Sequence, residues 1–235
     1  MWRSAFAAQW ENYLAPTAAD GGIWIDGGSY GGMYGFDADD GAERFYAGLE
    51  QYDQWTPAYD DGGVYTFVEG NLRAHDPDDG AVSWTLDLGW NWAGWSMATT
   101  PVVADGTVWL ASSEGRYAVD VASESLLGQV DGNFFGIPAV ANGVVYAITE
   151  GSVKSYDDDD GAYQSVYVGD SGLYGQPLVT DDMLIMASSS KTYIYDLATG
   201  TRLNRLDVGG WVSVADGRLY IADQSGILHV WKWMP

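Results

Sequence analysis

The sequence predicts an all-β protein: a β-propeller of six four-stranded antiparallel blades, its ring closed by the N-terminal strand. Three observations carry that prediction. A tight turn recurs at Asp20-Gly21-Gly22, Asp61-Gly62-Gly63, Asp105-Gly106, Asn142-Gly143, Asp181-Asp182 and Asp216-Gly217. Asp-Gly and Asn-Gly between apolar runs are the strongest short-range hairpin signals, because both residues tolerate the positive φ that a tight hairpin turn requires. The anchors Gly22, Gly63, Gly106, Gly143, Asp182 and Gly217 lie 41, 43, 37, 39 and 35 residues apart. A period near 40 with four short strands marks a propeller blade. Finally, an apolar run follows each turn (Ile23-Trp24-Ile25, Val64-Tyr65, Val108-Trp109-Leu110, Val145-Tyr146, Leu184-Ile185-Met186, Leu219-Tyr220-Ile221).

The unit is clearest between Thr100 and Val130. An apolar run after Pro101 enters the Asp105-Gly106 turn. Val108 to Leu110 form a second strand, Tyr117 to Asp120 a third, and Leu126 to Val130 a fourth. The third strand usually ends in Asp, at Asp37, Asp76, Asp120, Asp157 and Asp196. Extended along the chain, the pattern gives blades at about 14–51, 55–92, 100–134, 137–173, 176–208 and 211–233. The last has room for three strands only, so Trp2 to Ala8 is read as its fourth. Such closure removes free sheet edges. Residues 1–235 thus read as one propeller domain, large enough to bury roughly 70–75% of its unfolded surface.

Composition excludes several functions. The 33 acidic against 10 basic residues give a net charge of −23, which repels phosphate backbones and disfavours nucleic acid and anionic membranes. No run approaches the roughly 20 apolar residues of a membrane helix. There is no cysteine, hence no disulfide and no thiolate metal site. The N-terminal Met-Trp-Arg-Ser-Ala-Phe-Ala-Ala is too short and too poor in aliphatics for a signal peptide. If the parent protein is exported, this chain is a mature or excised segment.

Ala74-His75-Asp76-Pro77-Asp78-Asp79-Gly80-Ala81-Val82-Ser83-Trp84 and Ile194-Tyr195-Asp196-Leu197-Ala198-Thr199-Gly200 resemble the tryptophan-docking repeat of pyrroloquinoline-quinone-like propellers, Ala-x-Asp-x-x-Thr-Gly-x-x-x-Trp. Gly35-Phe36-Asp37 through Gly41 to Phe45 is a looser copy, and Ser155-Tyr156-Asp157 to Gly161 looser still. The resemblance covers all six units, with the Trp kept only at Trp84. That family includes quinoprotein dehydrogenases and outer-membrane assembly lipoproteins of the BamB type. Its members commonly have eight blades, so six is a departure. For the dehydrogenases the resemblance implies a vicinal cysteine pair and a calcium site. The cysteines are absent and no calcium site matches, so neither a catalytic set nor a cofactor is expected.

Propeller connectivity sorts the remaining candidates onto two faces. The first collects the hairpin turns and the clusters Asp37–Asp40, Asp76–Asp79 and Asp157–Asp160. A calcium loop places oxygens at positions one, three and five, Gly at six and a distal Glu; here Gly comes at five and no Glu follows. Solvated turns are the expectation and no metal site is assigned. The second face collects aromatics. Trp10, Tyr52, Trp55, Trp90, Asn91, Trp92, Trp95, Tyr174 and Trp211 are the candidate ligand-binding residues, since flat rings beside amides suit peptides and carbohydrates. Glu69, Glu114 and Glu150 each precede a glycine in the same loop of consecutive blades, and with Glu11 and Glu50 they put carboxylates on that face. His75 and His229 fall at equivalent third-strand sites of distant units, which suits packing better than a shared metal.

The sequence is therefore read as a non-catalytic binding or scaffolding module, a monomer, taking a protein, peptide or glycan on its aromatic face. Its parent protein is expected to be extracellular or periplasmic. Two alternatives stand beside this. One is a degenerate quinone-dependent or carbohydrate-active enzyme using Glu69, Glu114 or Glu150. The other is a ligand-free structural propeller, engineered or excised.

Overall fold

The computed structural model describes residues 1–7, 15–52, 55–89, 98–159 and 161–232. It divides into two compact units, Met1–Gln129 and Val130–Pro235. Among the described residues there is no α-helix, only a 3-10 turn at Gly28–Tyr30, and the strands form six antiparallel sheets.

The first unit holds three sheets. Sheet 1 is β1 (Thr17–Ala19), β2 (Gly22–Asp26), β3 (Met33–Asp37) and β4 (Glu43–Ala47). Sheet 2 is β5 (Ala58–Asp60), β6 (Gly63–Val68), β7 (Asn71–His75) and β8 (Val82–Asp87), and the short β9 (Ala98–Thr99) pairs with the end of β6. Sheet 3 is β10 (Val102–Ala104), β11 (Thr107–Ala111), β12 (Gly115–Asp120) and β13 (Ser125–Asp131), the last crossing the unit boundary. In the second unit, sheet 4 is β14 (Phe134–Ala141), β15 (Val144–Thr149), β16 (Ser152–Asp157) and β17 (Tyr163–Val168). Sheet 5 is β18 (Leu178–Val179), β19 (Met183–Ala187), β20 (Thr192–Asp196) and β21 (Arg202–Leu206). Sheet 6 is β22 (Trp211–Ala215), β23 (Arg218–Ala222) and β24 (Leu228–Lys232).

The recurrent turn works as the sequence implies. Asp20, Asp61, Asp105, Asn142 and Asp216 all have φ between 38° and 53°, and the glycine after each is also positive. Two consecutive positive φ values define the type I′ hairpin, whose twist matches that of the strands it joins. The Asp ending or following the third strand closes a second turn. Its carbonyl accepts the N–H of the residue four on, at Gly41, Gly80, Gly161 and Gly200, while its carboxylate accepts an N–H two or three residues on. In sheet 3 Glu124 takes the glycine position at φ 55°. A β-bulge sits late in the third–fourth strand pairing of sheets 1, 2, 4 and 5, where the extra residue bends the outer strand.

The middle strands of sheets 2 to 5 are largely buried on both faces, which is why they read as unbroken apolar runs; β19 is buried at all five positions, whereas β23 in sheet 6 is exposed at Arg218 and Ala222. Trp24, Met33, Phe45, Trp55, Val64 and Val68 form the core between sheets 1 and 2. Tyr65, Leu72, Leu110 and Val119 pack sheets 2 and 3 together. Tyr146, Val153, Met186 and Tyr193 do so for sheets 4 and 5, and Ile185, Ile194, Leu219 and Ile221 for sheets 5 and 6. Each fully buried side chain of this size stabilises by about 1.5–3 kcal/mol.

Aromatic rings also dock on turn glycines of the next sheet. A Cβ on Gly80 would lie 2.4 Å from the Phe45 ring, and one on Gly41 would lie 2.3 Å from the Trp2 indole. The Trp2 indole N–H donates to the Ala38 carbonyl at 2.9 Å, Ser4 bonds the Gly41 carbonyl, and Phe6 packs against Tyr34 and Phe36. Met1–Ala7 therefore lies against sheet 1, with Trp2 standing to Gly41 as Phe45 stands to Gly80. No strand is formed by Met1–Ala7, so the expected closing strand is not among the described pairings.

Two expectations need correction. Phe134 opens the fourth sheet rather than ending the third. Its strand carries a register shift between Phe135 and Ala139, which breaks the alternation that marks a strand in sequence. His75 and His229 are not equivalent: His75 pairs with Val64 near one end of β6, whereas His229 pairs with Ile221 near the other end of β23. His75 is buried between Thr66 Oγ1 (2.9 Å) and the Gly80 carbonyl (3.1 Å). The His229 Nε2 lies within hydrogen-bond distance, 2.8 Å, of the Asp223 carboxylate.

Candidate functional site

Of the nine candidate ligand-binding residues, Trp10, Trp90, Asn91, Trp92 and Trp95 lie outside the described residues. The other four fall in two places.

In the first unit Trp55 is 0% exposed, and its indole N–H donates to the Tyr52 carbonyl at 2.9 Å. Trp55 is thus a core residue that fixes the link between sheets 1 and 2, not a ring offered to a ligand. Tyr52 is half-buried; burial raises its phenol above the ordinary value, and the carboxylates of Glu69 and Glu50 add to this. Glu50 is held by Arg73 at 2.9 Å, and Arg73 also donates to the Val68 carbonyl. The second carboxylate oxygen of Glu50 is buried with no hydrogen-bond partner among the described residues. Glu69, Glu114 and Glu150 do occupy the same second-to-third strand turn of sheets 2, 3 and 4.

In the second unit Tyr174 and Trp211 come together, although 37 residues separate them in sequence. Their rings meet edge to face, with centroids 5.4 Å apart at 87°, a favourable aromatic geometry. Trp211, the first residue of β22, remains 54% exposed. The fold holds the pair from two sides. Tyr174 N–H donates to the Ala187 carbonyl at 3.2 Å, and Ile137 N–H donates to the Gly175 carbonyl at 2.9 Å. Gln176 reaches the Pro138 carbonyl at 3.0 Å. Gly136 and Gly175 are in van der Waals contact through their backbones, so any side chain at Gly136 would collide. This stitching holds the Tyr174 loop against the start of β14, where Phe135 is exposed. The Tyr174 hydroxyl is buried and has no hydrogen-bond partner among the described residues.

Asp170, which sequence reading missed, anchors the loop that carries Tyr174. It accepts from Ser188 (3.0 Å), Tyr193 (2.9 Å) and the Gly172 N–H (2.9 Å). Burial pushes its carboxyl upward, but these bonds and the nearby Lys191 outweigh it and hold the group below the usual carboxylate range. Burial, then the bond to Asp170, raises the Tyr193 phenol. Gly169-Asp170-Ser171-Gly172 is a legible Asx-turn sequence, but nothing in it names partners 18 and 23 residues away.

The acidic turns show what their carboxylates do. Oxygens of Asp157, Asp158 and Asp159 lie within 4.8 Å of one another. Yet Asp157 accepts the Asp159 N–H at 3.0 Å, as Asp37 and Asp76 accept theirs. The repeated geometry is that of a turn.

Six antiparallel sheets with this connectivity and turn chemistry define a β-propeller protein. The family model described as outer membrane protein assembly factor BamB matches residues 1–205, and the chain belongs to that family. Among solved structures it is similar to BamB from Moraxella catarrhalis, at 18% identity and a TM-score of 0.76, covering 93% of this chain and 71% of that one. It is similar also to the computationally designed Ika8 protein (15% identity, TM-score 0.80, 94% and 70% covered). The C-terminal WD40 domain of Sif2 has the same fold (13% identity, TM-score 0.76, 94% and 66% covered). No curated protein matches its sequence.

Proposed function

We propose that this chain is a non-catalytic binding and scaffolding propeller that takes a protein, peptide or glycan ligand on the aromatic platform of Tyr174 and Trp211. The observation that carries this reading is Trp211, a large indole left 54% exposed while its position is fixed by Tyr174 and Gly175. A rigid, exposed aromatic loses little conformational entropy on binding and offers a flat apolar surface, the usual character of a binding hot spot. Family membership supports a protein ligand first and an extracellular or periplasmic setting, because the named relative is an outer-membrane assembly factor. Among the described residues, Glu50 is engaged by Arg73 and the turn aspartates by backbone N–H groups, which favours binding over catalysis.

The test is tryptophan fluorescence during titration with a panel of extended peptides and soluble glycans, on wild type and Trp211→Ala. A saturable change with one ligand class, weakened at least tenfold in the variant while circular dichroism is unchanged, is the expected result. Equal affinity of the variant, or turnover of alcohols or sugars with added quinone and calcium, overturns the reading.

A further inference from the structure

The outer strand of sheet 4 offers a second surface, independent of the aromatic platform. The outermost strand of any open sheet leaves a row of backbone N–H and C=O groups with no neighbour, ready to pair with an extended chain. Proteins blunt such edges with charged side chains, and most outer strands here carry them. Glu43 and Arg44 stand on β4, Asp87 on β8, Asp131 on β13, Arg202 and Arg205 on β21, and Lys232 on β24. β17 reads Tyr-Gln-Ser-Val-Tyr-Val, with no charge and no proline. Tyr and Val favour strands, and a six-residue strand with four of them and no charge makes a pairing-competent edge.

One face of β17 is also apolar and open. Its register places Tyr163 opposite Tyr156, Val166 opposite Lys154 and Val168 opposite Ser152. These three residues therefore share a face, at 56%, 46% and 58% exposure. A cavity of about 510 Å³ adjoins it, with Asp131, Phe134, Glu150, Lys154, Tyr156 and Tyr163 in its lining. Two carboxylates and one ammonium stand there, and the Asp157–Asp159 turn precedes the strand.

We propose that β17 is a strand-addition edge for an extended, basic segment of another protein. Its backbone pairs along β17, its alternate apolar side chains cover Tyr163, Val166 and Val168, and a Lys or Arg reaches Glu150 and Asp131. In this mode main-chain bonds supply affinity, and pockets for alternate side chains supply selectivity. Charge decides the occupant. A second copy would bring a net charge of −23 against −23, whereas a basic segment meets a complementary field.

The probe is a fluorescein-labelled ten-residue peptide of alternating valine and threonine, with lysine at both ends and at the centre. Anisotropy follows its binding to the full chain at low and physiological salt. Saturable binding that weakens with salt is expected. Val166→Lys, a change at a half-exposed side chain, should weaken it at least tenfold with circular dichroism unchanged. Glu150→Gln should weaken it several-fold. Peptides N-methylated at odd or at even positions should differ, one of the two losing at least tenfold. Trp211→Ala should leave it unchanged, which separates this surface from the aromatic platform. Absence of saturable binding, equal binding of a glutamate-for-lysine peptide, or an unaffected Val166→Lys variant overturns the proposal. A concentration-dependent dimer in sedimentation that Val166→Lys abolishes overturns it too, by assigning the edge to a second copy.

Discussion

Replacing Gly80 by alanine tests the ring-on-glycine packing that links sheets 1 and 2, and Gly200 supplies its control. The two glycines occupy the same turn of different sheets. Gly80 has φ 73° and Gly200 φ 66°, and each donates its N–H to the Asp four residues earlier, at 3.0 and 2.9 Å. They differ in what a Cβ would meet: the Phe45 ring at 2.4 Å for Gly80, and nothing within 4 Å for Gly200. Alanine at a left-handed φ costs about 1–2 kcal/mol at either position. At Gly80 the ring must also move, and forcing atoms into a filled site costs about 1–3 kcal/mol more. Gly200→Ala should therefore destabilise by about 1–2 kcal/mol and Gly80→Ala by about 2–5 kcal/mol. Urea denaturation followed by tryptophan fluorescence and by circular dichroism measures both. Phe45→Ala closes a double-mutant cycle: in its background the Gly80→Ala penalty should fall to that of Gly200→Ala, a coupling of at least about 1 kcal/mol. Equal penalties at the two glycines in the wild-type background, or no coupling, would refute the docking argument.

Two further perturbations follow from the same geometry. Burial holds the His75 imidazole below its ordinary value, outweighing the bond to the Gly80 carbonyl, with Arg73 adding to the depression. Below a pH of about 6.5 the unfolded chain then binds a proton that the folded chain resists, so stability is present above that pH and declines as pH falls, by at most about 1.4 kcal/mol per pH unit. Denaturation midpoints between pH 7.5 and 5 should show this slope in wild type, and its loss in His75→Asn; an identical slope in both sinks the assignment. At the acidic turns, carboxylates engaged by backbone N–H groups predict that millimolar calcium gives no saturable rise in melting temperature. A saturable rise abolished by Asp159→Asn would make Asp157–Asp159 a metal site instead.

Much of the fold was legible because the propeller writes its most regular features in local chemistry. Asp-Gly and Asn-Gly mark the type I′ turns one for one at five positions, since few other pairs accept two consecutive positive φ values. Asp at the end of the third strand is equally readable, because its carboxylate bonds its own turn. What sequence hides is set by neighbours far along the chain. Trp55 stands just before, and Trp211 at the start of, the first strand of a sheet, and no local signal tells them apart. Trp55 is enclosed by Trp24, Met33 and Phe45, while Trp211 meets Tyr174 on one side and solvent on the other. The start of β14 was hidden for a different reason. Gly132-Asn133 reads as a loop, and the register shift after Phe135 breaks the period of two just where the strand begins. That irregularity accompanies the close approach of Gly136 to Gly175, the residue that follows Tyr174. The same logic separates the two proposed surfaces. The aromatic platform depends on contacts between sheets, and only the structure reveals it. The β17 edge depends on the absence of charge in six consecutive residues, a feature plain in the sequence that acquires meaning only once β17 is known to be outermost in its sheet.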